Sequence, residues 1–160
     1  MPIEIKILSG GDETMLHHVA AGVFDHAIDQ RRSVEFLHDP RHHLAVAIDA
    51  GIVVGFASAV HYVHPDKNPE LWINEIGVAP THRKQGVAAK LLQVLFKVGQ
   101  DAGCAEAWVL TDRSNSAAMR LYASQGGIPK NQVLFAFYFR ENAIRKDADQ
   151  PVAATASRGQ

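Results

Sequence analysis

Arg83-Lys84-Gln85-Gly86-Val87-Ala88 joins an apolar extended run, Leu71 to Val78, to a long amphipathic pattern between Thr81 and Gly103. Val87, Leu91, Val94, Leu95 and Val98 form one helical stripe in that pattern, and Gly103 ends it where a C-terminal glycine is expected. A strand that turns directly into a helix leaves several backbone N–H groups at the turn without intrahelical partners. The helix dipole favours negative charge there, Gly86 lets an anion approach the backbone, and Arg83 and Lys84 add two full charges. A diphosphate suits such a place. The spacing is neither a Walker A loop nor a Gly-x-Gly-x-x-Gly fingerprint. Basic residues and a glycine in a first helical turn also occur as plain solvated surface, so the hexapeptide alone leaves both readings open.

On the N-terminal side, Ile3, Ile5 and Ile7 alternate with Glu4 and Lys6 in a first strand, closed by Ser9-Gly10-Gly11. From Asp12, Met15, Leu16, Val19, Val23 and Phe24 recur at helical spacing, and a second short helix is expected near Ser33, with Pro40 ending the region. Leu44 to Ile48 and Ile52 to Val63 flank Asp49-Ala50-Gly51 as a hairpin. On the C-terminal side a fifth strand, Ala105 to Thr111, feeds a helix from about Ser114 to Gln125, stopped by Gly126-Gly127. Val133 to Phe139 reads as a last strand, with Phe135, Phe137 and Phe139 on one face and Tyr138 on the other. The order β-α-α-β-β-β-α-β-α-β is a mixed α/β arrangement with helices able to cover both faces of one sheet. Residues 1–141 are expected to form a single domain and 142–160 a flexible C-terminal tail.

Bulk properties narrow the function without naming it. A length of 160 residues with 47% hydrophobic and 21% charged residues suits one globular core. Lys plus Arg (16) nearly balance Asp plus Glu (17), so the overall charge gives no reason to expect nucleic acid. No apolar run approaches the ~20 residues that cross a bilayer, which argues against a membrane partner. The single cysteine, Cys104, reads as packing rather than nucleophile, and with no signal-like N-terminus the expected location is the cytoplasm.

Arg83 to Ala88 resembles the Arg/Gln-x-x-Gly-x-Gly/Ala signature of the GNAT superfamily of acyl-CoA N-acyltransferases, and the order of elements is similar too. Asn115-x-x-Ala118-x-x-Leu121-Tyr122-x-x-x-Gly126 looks like that superfamily's second cofactor motif at the usual distance downstream. The resemblance implies acetyl-CoA as cofactor. It implies cofactor contacts from Arg83, Lys84, Gln85, Gly86, Val87, Ala88, Asn115 and Ala118, with the pantetheine arm paired to the backbone of Ile76, Gly77 and Val78 between splayed fourth and fifth strands.

Amide formation from an amine needs an uncharged nitrogen, so a base must take a proton. Glu75, one residue before Ile76, is the candidate; alternation puts it on the face of Leu71 and Ile73, where apolar neighbours would raise its pKa from ~4.3. Glu75 could equally serve by adding negative charge to the acceptor pocket. Departure of the thiolate needs an acid, and the resemblance assigns it to Tyr122, whose phenol, with a pKa near ~10, stays protonated at neutral pH. Asn115, Ala118 and Tyr122 at i, i+3 and i+7 share a helix face.

A narrower similarity, to the GNAT-type aminoglycoside 3-N-acetyltransferases, runs from Glu70 to Tyr122 through Glu70-Leu71-Trp72-Ile73-Asn74-Glu75, His82 to Gly86, Gly103, Asp112 and Leu121-Tyr122. It implies Glu75 and Asp112 as acidic groups for a polycationic acceptor, and a homodimer. Two departures stand out. The last strand lacks the branch's aspartate, and Gly127 stands where an aromatic residue is expected. Another amine (a polyamine, a peptide N-terminus or a small metabolite) therefore stays open, as does a catalytically silent acyl-CoA-binding module. Nine histidines, among them His38, His42, His43, His61 and His64, raise metal binding as a further class. Pro40 breaks the helix that would align His38 with His42, so no metal is expected.

Overall fold

Branched and small residues dominate the strands, and they assemble in chain order. The computed structural model describes residues 2–140, so the expected tail at 142–160 lies outside the described residues. Two compact units are present, Met1–Thr111 and Asp112–Gln160. The first contains β1 (Glu4–Leu8), α1 (Gln30–His38), β2 (His42–Asp49), β3 (Ile52–Tyr62), β4 (Glu70–Val78), α2 (Val87–Asp101) and β5 (Glu106–Val109). The second contains α3 (Ser116–Ser124). The strands form one sheet in the order β1-β2-β3-β4-β5. β1 to β4 pair antiparallel, and β4 pairs parallel with β5.

Small residues decide which sheet face receives α2. A Cβ on Gly55 would meet Val87 Cγ1 at 3.2 Å and Leu91 Cδ1 at 3.4 Å, and one on Gly99 would meet Leu71 Cδ2 at 3.0 Å. Directly opposed antiparallel residues share a face. Ala45, Ala47, Ala57, Ala59, Leu71 and Ile73 therefore line the same side as Gly55, and Leu91, Leu92 and Leu95 are fully buried in α2. Each leucine removed from water there contributes about 1.5–3 kcal/mol. The other face carries Leu8, Leu44, Val46 and Phe56. It is covered by Phe24, which stacks on Phe56 at 3.8 Å between ring centroids, and by Phe36 of α1, which stacks on His42.

Three expected elements differ. The helical pattern from Asp12 forms only a 3₁₀ turn, Glu13–His17. Beyond it the backbone is captured by β3: Ala20 N donates to Val53 O and Val53 N to His18 O, while Gly22 adopts φ +74° against Pro80. The Ala20 N–H is then not free to bond four residues back along a helix, and the His18 carbonyl is already engaged. The second helix begins at Val87 rather than near Thr81, because Lys84 (φ 61°) and Gly86 (φ 77°) are left-handed. Finally, Val133–Phe139 forms no strand, and Val133, Leu134, Phe135, Phe137 and Phe139 are exposed. A period-two pattern only permits a strand; the ladder needs a partner, and none pairs with it among the described residues. The hairpin, the three other strands and the glycine stops at Gly103 and Gly126 stand where the pattern put them.

Candidate active site

The segment quoted first forms an open turn with its donors inward. Pro80–His82 makes a 3₁₀ turn, Arg83 to Gly86 follow as loop, and Val87 and Ala88 open α2. The first helical bond runs from Lys90 N to Gly86 O (3.1 Å), and no side chain caps the N-terminus. The N–H groups of Val87, Ala88 and Ala89 therefore have no carbonyl four residues back, and consecutive left-handed and helical residues curve them into an anion-binding nest. A Cβ built on Gly86 meets nothing within 4 Å, so there is room above the turn. Gln85 Nε2 donates to Thr81 O (3.0 Å) and Arg83 Nε to Val78 O (3.1 Å), which ties the loop to the end of β4. Sequence reasoning missed a further tie: His82 Nε2 lies 3.1 Å from Asp49 Oδ2 across the chain, and His82 Nδ1 lies 2.9 Å from Thr81 Oγ1. Only the folded hairpin brings Asp49 there, so no local signal could have found it.

β4 leads into this turn and is paired on only one edge over its second half. Its parallel ladder with β5 runs from Glu70↔Glu106 to Ile73↔Val109 and stops, while β4 continues to Val78. Among the described residues no strand pairs with Asn74 to Val78 on that side. The backbone expected to pair with an extended ligand, Ile76, Gly77 and Val78, thus lies on an open edge.

Glu75 sits where the expectation from alternation fails. Ala59 opposes Ile73 but Ser58 opposes Glu75, so Asn74 is an extra residue, a β-bulge. One inserted residue exchanges faces. Glu75 therefore shares its side with Trp72, Ser58, Phe56 and Gly77, opposite to Leu71 and Ile73. Although Glu75 is exposed, its carboxyl pKa lies above the usual value, first because neighbouring groups partly shield it from water, then because of the Asp25 charge; His26 acts in the opposite sense. Asp25 and His26 belong to the irregular stretch after Phe24, which is pinned to this face by the Phe24–Phe56 stack. The expected helix had hidden them. Gly77 is crowded on the same side: a Cβ would fall 2.1 Å from Val23 O and 2.7 Å from Phe56 Cε1.

In the second unit, Asn115 is the N-cap of α3, and its Oδ1 accepts from Ala118 N (3.1 Å), so Asn115 and Ala118 meet through a cap rather than as neighbours along a helix face. Tyr122 is half-buried, and burial pushes its phenol pKa up. Asp112 accepts from Ser114 N (2.8 Å) and Ser114 Oγ (2.7 Å), and these bonds hold its carboxyl below the usual range. A Cβ on Gly127 would lie 2.9 Å from Tyr122 O, so the aromatic residue expected there has no room with this helix ending. Of the histidines, His43 and His61 stack with Nε2···Nδ1 at 2.8 Å. Among the described residues no group of three or more His, Cys, Asp or Glu could hold a metal ion, and no helix is long and apolar enough to cross a membrane.

The family model "Acetyltransferase (GNAT) family" matches residues 14–126. An uncharacterized N-acetyltransferase of Mycobacterium tuberculosis is 29% identical over 109 residues, covering 68% of this chain and 67% of that protein. The aminoglycoside N(6')-acetyltransferase type 1 of Salmonella typhimurium is 30% identical over 99 residues, 58% of this chain and 68% of that one. A solved aminoglycoside acetyltransferase from an uncultured soil metagenomic sample, in complex with sisomicin, superposes with TM-score 0.75 at 18% identity over 87% of this chain and 97% of its own, a likeness of fold. With the anion nest, the open β4 edge and a match through more than two-thirds of its length, this chain is an acyltransferase belonging to the GNAT family of acetyltransferases.

Proposed function

We propose that the protein transfers the acetyl group of acetyl-CoA to an amine of an aminoglycoside. The observation that carries this reading is the run from Glu75 along the open edge of β4 into the nest before α2. It gives an extended, diphosphate-ended thioester a strand edge to pair with, donors for its phosphates, and a carboxylate near its reactive end. The residues fit the cofactor, since Gly86 leaves the cradle clear and Arg83, Lys84, Gln85, Val87 and Ala88 supply charge and N–H groups. Bound acetyl-CoA supplies the carbonyl that the amine attacks, the C–N bond forming as the C–S bond breaks.

Glu75, its pKa raised by desolvation, takes the proton of the acceptor ammonium and leaves the lone pair free. Tyr122, kept protonated by burial, gives a proton to the departing sulfur and is restored by the proton that the acylated nitrogen sheds. Asn115 and Ala118 shape the start of the helix that carries Tyr122. Glu75 and the ionised Asp112 provide the charge that a polycation prefers. We also propose a cytoplasmic homodimer, a second copy covering the exposed Phe135, Phe137 and Phe139.

The test is a thiol-release screen of sisomicin and gentamicin-type aminoglycosides beside polyamines and peptides, followed by NMR of the product. Turnover of aminoglycosides alone is the expected result; turnover of peptides alone would overturn the substrate class and leave the acetyltransferase chemistry standing. Product NMR separates the 3-amine, which the sequence resemblance implies, from the 6'-amine named for the Salmonella relative.

A further inference from the structure

The bulge at Asn74 places Trp72 and Glu75 at successive positions on one sheet face. Trp72 opposes Trp108 across the parallel β4–β5 ladder, and the two indoles stack with centroids 5.4 Å apart and planes at 12°. Both are half-buried, so ring surface remains reachable.

A costly polar arrangement borders the pair on the same face. Glu70, the next residue on that face toward the start of β4, is a carboxylate at 9% exposure. It accepts from Tyr62 Oη (2.9 Å) and from the Lys67 ammonium. A buried carboxylate is a poor source of stability compared with well-packed apolar residues. This one, with Tyr62 and Lys67, sets a polar group beside Trp72 on the same sheet face.

Resting on the reading that the acceptor amine approaches Glu75, we propose that Trp72 and Trp108 form an aromatic wall of the acceptor site and select ring-bearing polyamines. A saturated aminosugar or aminocyclitol ring offers a flat C–H face to an indole. Its ammonium groups are drawn to the negative face of the ring system, while Glu75 takes the reacting amine beside it. A linear polyamine has charge without a ring face and gains less from such a wall. Trp72 and Trp108 are specificity residues here, with no part in proton transfer.

The chain has two tryptophans in all, both in this wall, so its intrinsic fluorescence reports the site directly. The experiment titrates the CoA-saturated protein with sisomicin, spermidine and a short peptide, following indole emission and binding heat together. Acceptor and acetyl-CoA KM are then measured for Trp72→Leu and Trp108→Leu, with circular dichroism to confirm folding. Trp72→Phe keeps an aromatic face in case leucine disturbs the sheet. Expected are quenching by sisomicin in step with the heat, and an acceptor KM raised at least tenfold by leucine but much less by phenylalanine, with acetyl-CoA KM unchanged. Sisomicin binding with heat but unaltered emission, or leucine variants with unchanged acceptor KM, would overturn the wall while leaving aminoglycoside acetylation intact. Quenching only by spermidine or the peptide would overturn both ring selection and the aminoglycoside reading. If no amine in the panel binds, the acceptor site is not on this face and both readings fall.

Discussion

In the proposed reaction Glu75 and Tyr122 have opposite tasks, one taking a proton and one giving it, and each can be tested alone. Glu75→Gln keeps the side chain's size and hydrogen bonding but cannot take a proton. Acetyl transfer should fall by at least about 100-fold, in the range that general-base catalysis contributes, while calorimetry finds acetyl-CoA affinity within about twofold. Because desolvation and Asp25 raise the Glu75 pKa above its ordinary 4.5, the carboxylate is lost at a higher pH than for a free glutamate. The rate of the parent protein should therefore rise with pH through a midpoint above 4.5, and that inflection should vanish in the residual activity of Glu75→Gln. Tyr122→Phe should lower kcat about 10- to 100-fold with little change in melting temperature; a full-rate variant would return Tyr122 to a packing role. The sequence singles out both residues as candidates, Glu75 by its place before Ile76 and Tyr122 by its motif. The side of the sheet that Glu75 occupies is not, because a bulge at Asn74 depends on how β3 and β4 register, and no local pattern around Asn74 announces it.

At the level of elements, what could be read was what is decided locally. The hairpin at Asp49-Ala50-Gly51, the α2 stripe and the glycine stops rest on backbone preferences and on periodicity within one segment. The stretch from His18 to Asp29 was not legible, since Ala20 N donates to Val53 O and His18 O accepts from Val53 N, a partner more than thirty residues away. Gly77 shows how tightly that stretch is seated. An added Cβ would lie 2.1 Å from the Val23 carbonyl, a backbone atom that cannot rotate aside. Gly77→Ala should thus cost about 2–4 kcal/mol in urea unfolding, well beyond an ordinary surface change. Gly86→Ala meets no such obstacle and should instead strain the left-handed turn. The Phe135–Phe139 segment marks the reverse error, in which a strong alternating pattern finds no ladder.

Across the molecule, one sheet keeps two differently built faces. Beneath α2 the layer is small and apolar, yet it holds the stacked His43–His61 pair. Burial and the neighbouring His61 and His42 lower the His43 pKa from 6.5 to about 4. The unfolded chain therefore binds a proton at His43 before the folded one does. The stability this histidine contributes is complete above pH 6.5 and is lost as the pH falls toward about 4. Allowing for its partial contact with water, the loss should be about 1–2 kcal/mol, and chemical denaturation of His43→Gln across that interval should show a shallower decline.

The early end of the β4–β5 ladder has a consequence for how the protein must be handled. Among the described residues no strand pairs with the outer edge of β4 from Asn74 to Val78, and such an edge is an invitation to any other extended chain, including one from a damaged copy of the same molecule. A tenant on that strip would silence the invitation and, by mass action, hold the native form. On the proposed reading, in which a thioester lies along that strip, the ligand is also a guardian against clumping, and supply of coenzyme and longevity of the catalyst are bound together.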